Sequence, residues 1–196
     1  MNPGEFFSGI GTVDLLIILY FIGFFVLGFA QGTLRRLIGI LSVVFSFLFA
    51  ANLNPILGSF LADNWEQYPR PYSYMIGFGA VFAASSIALA LLTQSYYKPQ
   101  QLFQKARFAD EILGGFLGII QAALIFGAVL IILDTYFRVP TGAPVFFSEL
   151  PLLRDFWGGL DQTQFAILFR TSFIPASFVL FGLFIPDNIK AAYPFR

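Results

Sequence analysis

The fold is decided by Gly28-Phe29-Ala30-Gln31-Gly32-Thr33-Leu34-Arg35-Arg36, nine residues that lie between two long apolar runs. No charged residue occurs between Leu15 and this stretch, and none occurs from Leu37 to Ala62. Two glycines four residues apart let helix backbones approach closely, whereas arginines are costly to bury in hydrocarbon. The stretch therefore predicts a tight turn at a membrane surface between two membrane-spanning helices.

The composition is that of a membrane protein. Of 196 residues, 58% are hydrophobic, 11% are charged and 27 are phenylalanine, more apolar surface than a soluble core of this size could bury. The absence of cysteine and histidine excludes disulfides, thiolate chemistry and the commonest metal ligand. With 11 basic and 11 acidic residues, the chain suggests no basic surface for nucleic acid. We expect a lipid bilayer as its surroundings, and no metal, cofactor or nucleic acid.

Four uncharged stretches are suited to membrane helices: residues 15–34, 37 to about 51, 72–92 and 112–133. They predict an all-α integral membrane domain over residues 13–134, with four helices arranged as two hairpins, after a leader of residues 1–12. Asn52, Asn54 and Pro55 are expected to loosen the second helix, after which residues 56–61 either continue it with a kink or lie along the membrane interface. Small residues at helical spacing predict packing faces on the last three spans: Gly39, Ser42, Ser46 and Ala50; Gly77, Ala80, Ala84 and Ala88; and Gly114, Gly118 and Ala122.

Residues 135–196 form a tail of different character, rich in proline and mixing charged with aromatic residues. Ser148 and Glu149 predict the start of an amphipathic helix on the membrane surface, with one apolar face made of Leu152, Leu153, Phe156, Trp157 and Leu160. The uncharged stretch 171–185 would span only about 23 Å as a helix, against a hydrocarbon core of roughly 30 Å. We therefore expect it to be half-inserted. The connector at 94–109 predicts either a short interfacial helix or a solvated loop.

Lysine and arginine predict the orientation of the chain. The turn at 31–36 holds two of them and the connector at 93–109 three, whereas the loop at 62–71 holds one and the leader none. Short loops rich in positive charge face the cytoplasm. With four crossings, the N-terminus and the tail are predicted to lie on the outer side.

The predicted spans contain few polar or charged side chains. Gln121 is the strongly polar residue well inside a span, and it is expected to hydrogen-bond a neighbouring helix. Three carboxylates, Asp14, Asp110 and Asp134, lie at span ends and are interpreted as solvated end groups, Asp110 also as a helix cap. An ion pair of Asp110 with Arg35 is an alternative that would join the two hairpins. We expect no catalytic site, because no nucleophile, phosphate loop or carboxylate cluster is recognisable.

Two motifs resemble those of the colicin V production protein family. One is Val13-Asp14 followed by Gly28, Gly32 and Arg35 in the pattern G-x-x-x-G-x-x-R, and the other is the run 110–118, Asp-Glu-Ile-Leu-Gly-Gly-Phe-Leu-Gly. The resemblance covers residues 13–133, although Glu111 and Gln121 stand where the family is usually basic. It implies a bacterial inner-membrane protein connected with colicin V production, a toxin biosynthetic process, and with envelope homeostasis, and it implies no catalytic activity.

Three hypotheses for the function follow. The first is a non-enzymatic scaffold or accessory subunit of an envelope or export assembly, which would hold a membrane-protein partner through Phe156 and Trp157. The second is a channel or transporter component for a small solute, which would need polar groups along the spans. The third is an enzyme acting on lipid headgroups, which would depend on Asp134, Glu149 or Asp155 at the outer surface.

Overall fold

The computed structural model describes residues 11–96, 107–138 and 150–186, together with residues 189 and 193. Within these ranges all regular structure is helical, which confirms the all-α class. Most of the predicted leader, the middle of the connector at 94–109 and the predicted helix start at Ser148 and Glu149 lie outside the described residues.

Four long helices form the body of the protein. They are α1 (Thr12–Gln31), α2 (Thr33–Asn64), α3 (Arg70–Tyr96) and α4 (Arg107–Phe137), and they run alternately up and down. All four are long and apolar enough to cross a membrane. We call the end at which α1 and α3 finish the Arg36 end, and the opposite end, where α4 finishes, the Asp134 end.

The turn between α1 and α2 is a single residue, Gly32. Its φ angle is +76°, a conformation that costs glycine little because it has no Cβ, and its N–H donates to the Gly28 carbonyl at 3.0 Å. Helix α2 begins at the next residue. The tight turn predicted from the sequence is therefore confirmed, and it needs glycine at this position.

Helix α2 is longer than predicted, because it continues through Pro55 to Asn64 over 32 residues. Proline removes one backbone hydrogen bond, and long membrane helices tolerate this where nearby groups satisfy the freed carbonyls. The carbonyl that loses its amide donor is that of Ala51, four residues before the proline. Of the two expectations for residues 56–61, continuation of the helix is therefore the one observed, and the helix does not end near residue 51.

The packing order differs from the chain order. Helix α1 packs on α4, α4 on α2 and α2 on α3, whereas α1 and α2 contact each other little although they are consecutive. A Cβ at Gly28 would come within 3.0 Å of the Gly114 carbonyl group, and one at Gly118 would meet the Phe24 carbonyl. The glycines of the turn motif thus pack against the glycines of α4, and the first hairpin is not a packing unit.

The other two predicted small-residue faces differ in burial. Ser46 and Ala50 of α2 are fully buried, and Gly77 of α3 packs against Gly58. The remaining members of the α3 stripe are exposed: Ala80, Ala84 and Ala88. The buried face of α3 is instead made of larger side chains, those of Tyr72, Met75, Phe78 and Phe82.

The tail folds back onto the Asp134 end. It contains α5 (Pro151–Asp161), α6 (Gln164–Leu168), a π-helical turn (Phe169–Phe173) and α7 (Ile174–Phe181), followed by a 3₁₀ turn (Gly182–Phe184). Residues 164–181 form one continuous helical segment of 18 residues, the fifth that is long and apolar enough to cross a membrane. Four crossings remain a proposal, to which we return below.

Candidate functional site

Asp134 lies in the last turn of α4 and is fully buried. The sequence interpretation of a solvated end group is wrong at this position, because the tail covers it. An ionised carboxylate without partners would be very costly in such surroundings, so the groups that face it decide its state.

Arg170 is the main partner of Asp134. Its Nε donates to Asp134 Oδ2 at 2.7 Å and its Nη2 to Oδ1 at 2.6 Å, a two-bond arrangement that fixes both side chains. The remaining nitrogen, Nη1, donates to Asp161 Oδ1 at 2.6 Å. Arg170 lies in the π-helical turn, where the added residue per turn changes the direction of the side chains that follow. One guanidinium therefore joins the end of α4, the end of α5 and the π turn.

Two aromatic residues complete the surroundings of Asp134. The indole Nε1 of Trp157 donates to Oδ1 at 2.9 Å, and the hydroxyl of Tyr193 donates to Oδ2 at 2.5 Å. Burial first, and then the negative charge of Asp134, raise the pKa of Tyr193 well above its usual value of 10.0, so the phenol stays protonated as a donor. Arg138 approaches Oδ2 to 3.9 Å at the more exposed side. We call this set the Asp134 cluster: Asp134, Arg138, Trp157, Asp161, Arg170 and Tyr193.

The Asp134 cluster has a structural role, because it holds the tail against the end of α4. Both oxygens of Asp134 accept hydrogen bonds, which leaves neither oriented to act as a base. The described residues contain no group of three or more acidic side chains suited to hold a metal ion. Of the three carboxylates proposed for an enzyme, Asp134 is saturated with hydrogen bonds and Asp155 is exposed on α5, so these two form no acid–base pair. Glu149 lies outside the described residues.

Asp14 provides a second tie at the same end of the bundle. It is buried, it accepts the Gly11 N–H at 3.0 Å as part of the start of α1, and it accepts the Phe165 N–H at 3.3 Å. The Phe165 bond joins the first turn of α1 to α6, 151 residues later. The predicted role of helix-end residue is thus extended, because Asp14 also fixes the tail and is not solvated.

At the Arg36 end, the motif residues meet as a glycine contact with polar groups around it. Gly28, Gly114 and Gly118 form the contact of α1 with α4, and Gly32 lies against the Asp110 carboxylate. Asp110 is 2% exposed, and its backbone carbonyl accepts the Thr33 hydroxyl at 2.9 Å. The alternative pair of Asp110 with Arg35 is not among the ion pairs within 4.0 Å of the described residues.

Arg36, the neighbour of Arg35, is the buried cation of this end. It is 5% exposed, its Nη1 donates to Gln121 Oε1 at 2.7 Å, and its guanidinium lies over the Phe24 ring at 5.6 Å. Gln121 thus hydrogen-bonds a neighbouring helix, as expected, although through a charged partner. Its amide also lies against Gly39 of α2, where a Cβ would come within 3.0 Å of it.

The two residues expected to form a partner surface differ in position. Phe156 is 51% exposed on α5, next to Leu152, which is 78% exposed. Trp157 turns inward, where it stacks on Phe137 and binds Asp134. Of the pair, only Phe156 presents its ring outward. The apolar face of α5 therefore packs against the core in part and is exposed in part.

Sequence reasoning missed Arg36 and Arg170 as functional residues. Arg170 was detectable, because it is a lone charge within the apolar run from Phe165 to Ile185 and a charge in such a run needs a partner. Arg36 and Arg35 are adjacent, and one residue changes direction around a helix by about 100°. No signal in a single sequence shows which of two adjacent arginines faces inward.

The comparisons with known proteins agree with the motifs. The family model described as colicin V production protein matches residues 13–149, which includes the turn motif, all four long helices and Asp134. Neither the curated proteins nor the solved structures gave a match.

Proposed function

Because the chain belongs to the colicin V production protein family, which is not a known enzyme family, we propose that it is a non-enzymatic scaffold or accessory subunit of a bacterial envelope or export assembly. In this role it resides in the cytoplasmic membrane and acts through contacts with another membrane protein. Colicin V production and envelope homeostasis are the processes that the membership suggests.

One observation carries the proposal: α4 has no polar side chain between Gln121 and Asp134. The 13 residues from one to the other correspond to about 20 Å of helix. Their side chains are mostly buried against α2 and the tail, and the cavity at this level is lined almost entirely by apolar residues, among them Phe47, Leu124 and Ile131. A route for a polar solute would need groups that replace water along this distance.

The path of the tail supports four crossings, with α1 beginning and the tail returning at the Asp134 end, which the lysine and arginine distribution predicts to be the outer side. Phe173 packs on Gly127 of α4, seven residues before Asp134, and Phe178 lies near Leu124 and Ile131. The chain then returns, since Tyr193 binds Asp134. The segment 164–181 thus enters from the Asp134 end, and the chain is back at that end by Tyr193, which favours a half-inserted segment over a fifth crossing.

Single-cysteine labelling tests this topology, and the chain has no cysteine of its own. Cysteines replacing Gln162 and Arg196 should be labelled from the outer side by a reagent that does not cross the membrane, and a cysteine replacing Gln31 only after the membrane is opened. Labelling of Gln162 and Arg196 from opposite sides would show that the segment crosses.

The scaffold role is tested at the exposed face of α5. In cells, Leu152→Ser and Phe156→Ser should lower the yield of crosslinks to a neighbouring membrane protein, because an apolar contact of this face is lost. Val179→Ser is the matched control, since Val179 is 81% exposed on α7 and lies outside that face. Equal losses in all three variants would contradict a specific contact through α5.

The alternative, a small-solute channel or transporter component, is favoured by the polar cavity beside Gln121 at the Arg36 end. It predicts that liposomes containing this chain alone conduct ions or take up solute, and that Gln121→Leu abolishes the activity. The scaffold proposal predicts no such flux above that of protein-free liposomes.

A further inference from the structure

A cavity of about 310 Å³ lies at the Arg36 end, with α1 and α3 as its walls and α2 and α4 between them. The helix pairs α1–α4 and α2–α3 pack tightly, and the cavity occupies the gap that remains between the two pairs. Its polar lining includes Gln31, Arg35, Arg36, Ser86 and Gln121.

The lining, as far as the described residues form it, carries two positive charges and no negative one. Neither aspartate nor glutamate is among the lining residues, and neither arginine forms an ion pair within 4.0 Å among the described residues. Two adjacent guanidiniums in partly apolar surroundings repel each other and attract an anion. Both lie in the first turn of α2, where the helix dipole also favours negative charge.

Among the described residues, Arg36 and Arg170 have almost fully buried guanidiniums, and their partners can be compared directly. Arg170 binds the carboxylates of Asp134 and Asp161, so its charge is compensated within the protein. Arg36 is equally buried, but its hydrogen-bonded partner is the neutral amide of Gln121, and its Nε has no acceptor among the described residues. A buried cation without a carboxylate is costly in a membrane and is typically kept for use.

We propose that this cavity binds the phosphate group of an anionic ligand through Arg35 and Arg36. Guanidinium groups bind phosphate oxygens with charge-assisted hydrogen bonds, and the amides of Gln31 and Gln121 add neutral donors at the same place. The rest of the lining is apolar, with Leu27, Val43 and Ile125 among it. This combination suits a phosphate group attached to an apolar body, and basic pockets between membrane helices are known to take anionic headgroups.

The experiment uses the full chain, purified in mild detergent. Native mass spectrometry and melting temperatures are measured with phosphatidylglycerol, with phosphatidylcholine, and with inorganic phosphate at constant ionic strength. Phosphatidylglycerol should stay bound and raise the melting temperature more than phosphatidylcholine does. The same effect with inorganic phosphate alone would identify a free phosphate ligand, and no effect of either would overturn the proposal.

Substitutions locate the site. Arg35→Gln and Arg36→Gln should each lower the affinity by about tenfold, the loss of one charge-assisted contact. Arg107→Gln is the matched control, because it removes the same charge from the same end at an exposed position. An equal loss in Arg107→Gln would show surface attraction only and would overturn the site.

A second variant and an independent readout make the result decisive. If Arg36→Gln does not fold, Arg35→Gln still tests the site, because Arg35 is only half-buried. Binding is measured on the isolated chain, so it is independent of the scaffold role. Loss of crosslinking in the α5 variants with phosphate binding intact, or the reverse, would separate the two proposals.

Discussion

Removal of either partner of the Asp134–Arg170 pair should strongly destabilise the fold. The Asp134 side chain is 0% and the Arg170 side chain 7% exposed. Asp134→Leu leaves a buried guanidinium with Asp161 as its remaining acidic partner, and Arg170→Met leaves a buried carboxylate with Arg138 at 3.9 Å as its nearest guanidinium. Breaking one partner of such a pair costs about 3–5 kcal/mol. For a chain of this length, roughly 2–4 °C of melting temperature is lost per kcal/mol, so we expect a decrease of roughly 6–20 °C.

The double variant Asp134→Leu with Arg170→Met provides the sharper test. It removes both charges, so its loss should be smaller than the sum of the single losses by about 1–3 kcal/mol. Thermal unfolding in detergent, followed by near-UV circular dichroism, measures all three variants. Asp63→Asn is the control, because Asp63 pairs with Arg70 at an exposed position and such pairs contribute at most about 1 kcal/mol. Additive losses, or single losses no larger than that of Asp63→Asn, would refute the coupling.

Three further predictions concern individual residues. Gly32→Leu should lower the melting temperature clearly more than Gly23→Leu, because Gly32 has a positive φ and faces a carboxylate whereas a Cβ at Gly23 meets nothing within 4 Å. The raised pKa of Tyr193 means that the folded state holds the phenol proton more tightly than the unfolded state does. Its contribution to stability is therefore complete below the unfolded pKa of about 10 and decreases as the pH rises above it. Tyr193→Phe should remove this decrease, as measured by unfolding at increasing pH in the alkaline range. Asp14→Ala should speed hydrogen exchange of the Phe165 amide by about tenfold, whereas unchanged exchange would show that this bond carries no stability.

The sequence could predict the body of the protein because its signals are local. Apolar runs of sufficient length define α1 to α4, and the stretch 28–36 predicted a tight turn between the first two, although not that Gly32 alone would form it. The glycine motifs indicated a close contact, although not its partner. Consecutive helices are usually neighbours, and here the shape of α4, with Gly114 and Gly118 facing α1, outweighs that tendency.

The Asp134 cluster could not be predicted, since it depends on how the tail returns. Asp134 at the end of an apolar run is equally consistent with a solvated carboxylate and with a buried one. The difference is made by Arg170, whose direction is set by the π turn, and by Tyr193. Neither a π turn nor a contact between residues 59 positions apart leaves a periodic signal in one sequence.

The order in which the chain is synthesised gives the Asp134 cluster a further consequence. Asp134 is made first, Arg170 follows 36 residues later and Tyr193 follows 59 residues after Asp134. Until those residues arrive, Arg138 at 3.9 Å is the guanidinium nearest to the carboxylate, and water must supply its short hydrogen bonds. The end of α4 should therefore remain hydrated while the membrane helices insert, and the tail covers it last. A chain cut short before Arg170 would therefore leave Asp134 without its two-bond partner and without the cover of the tail.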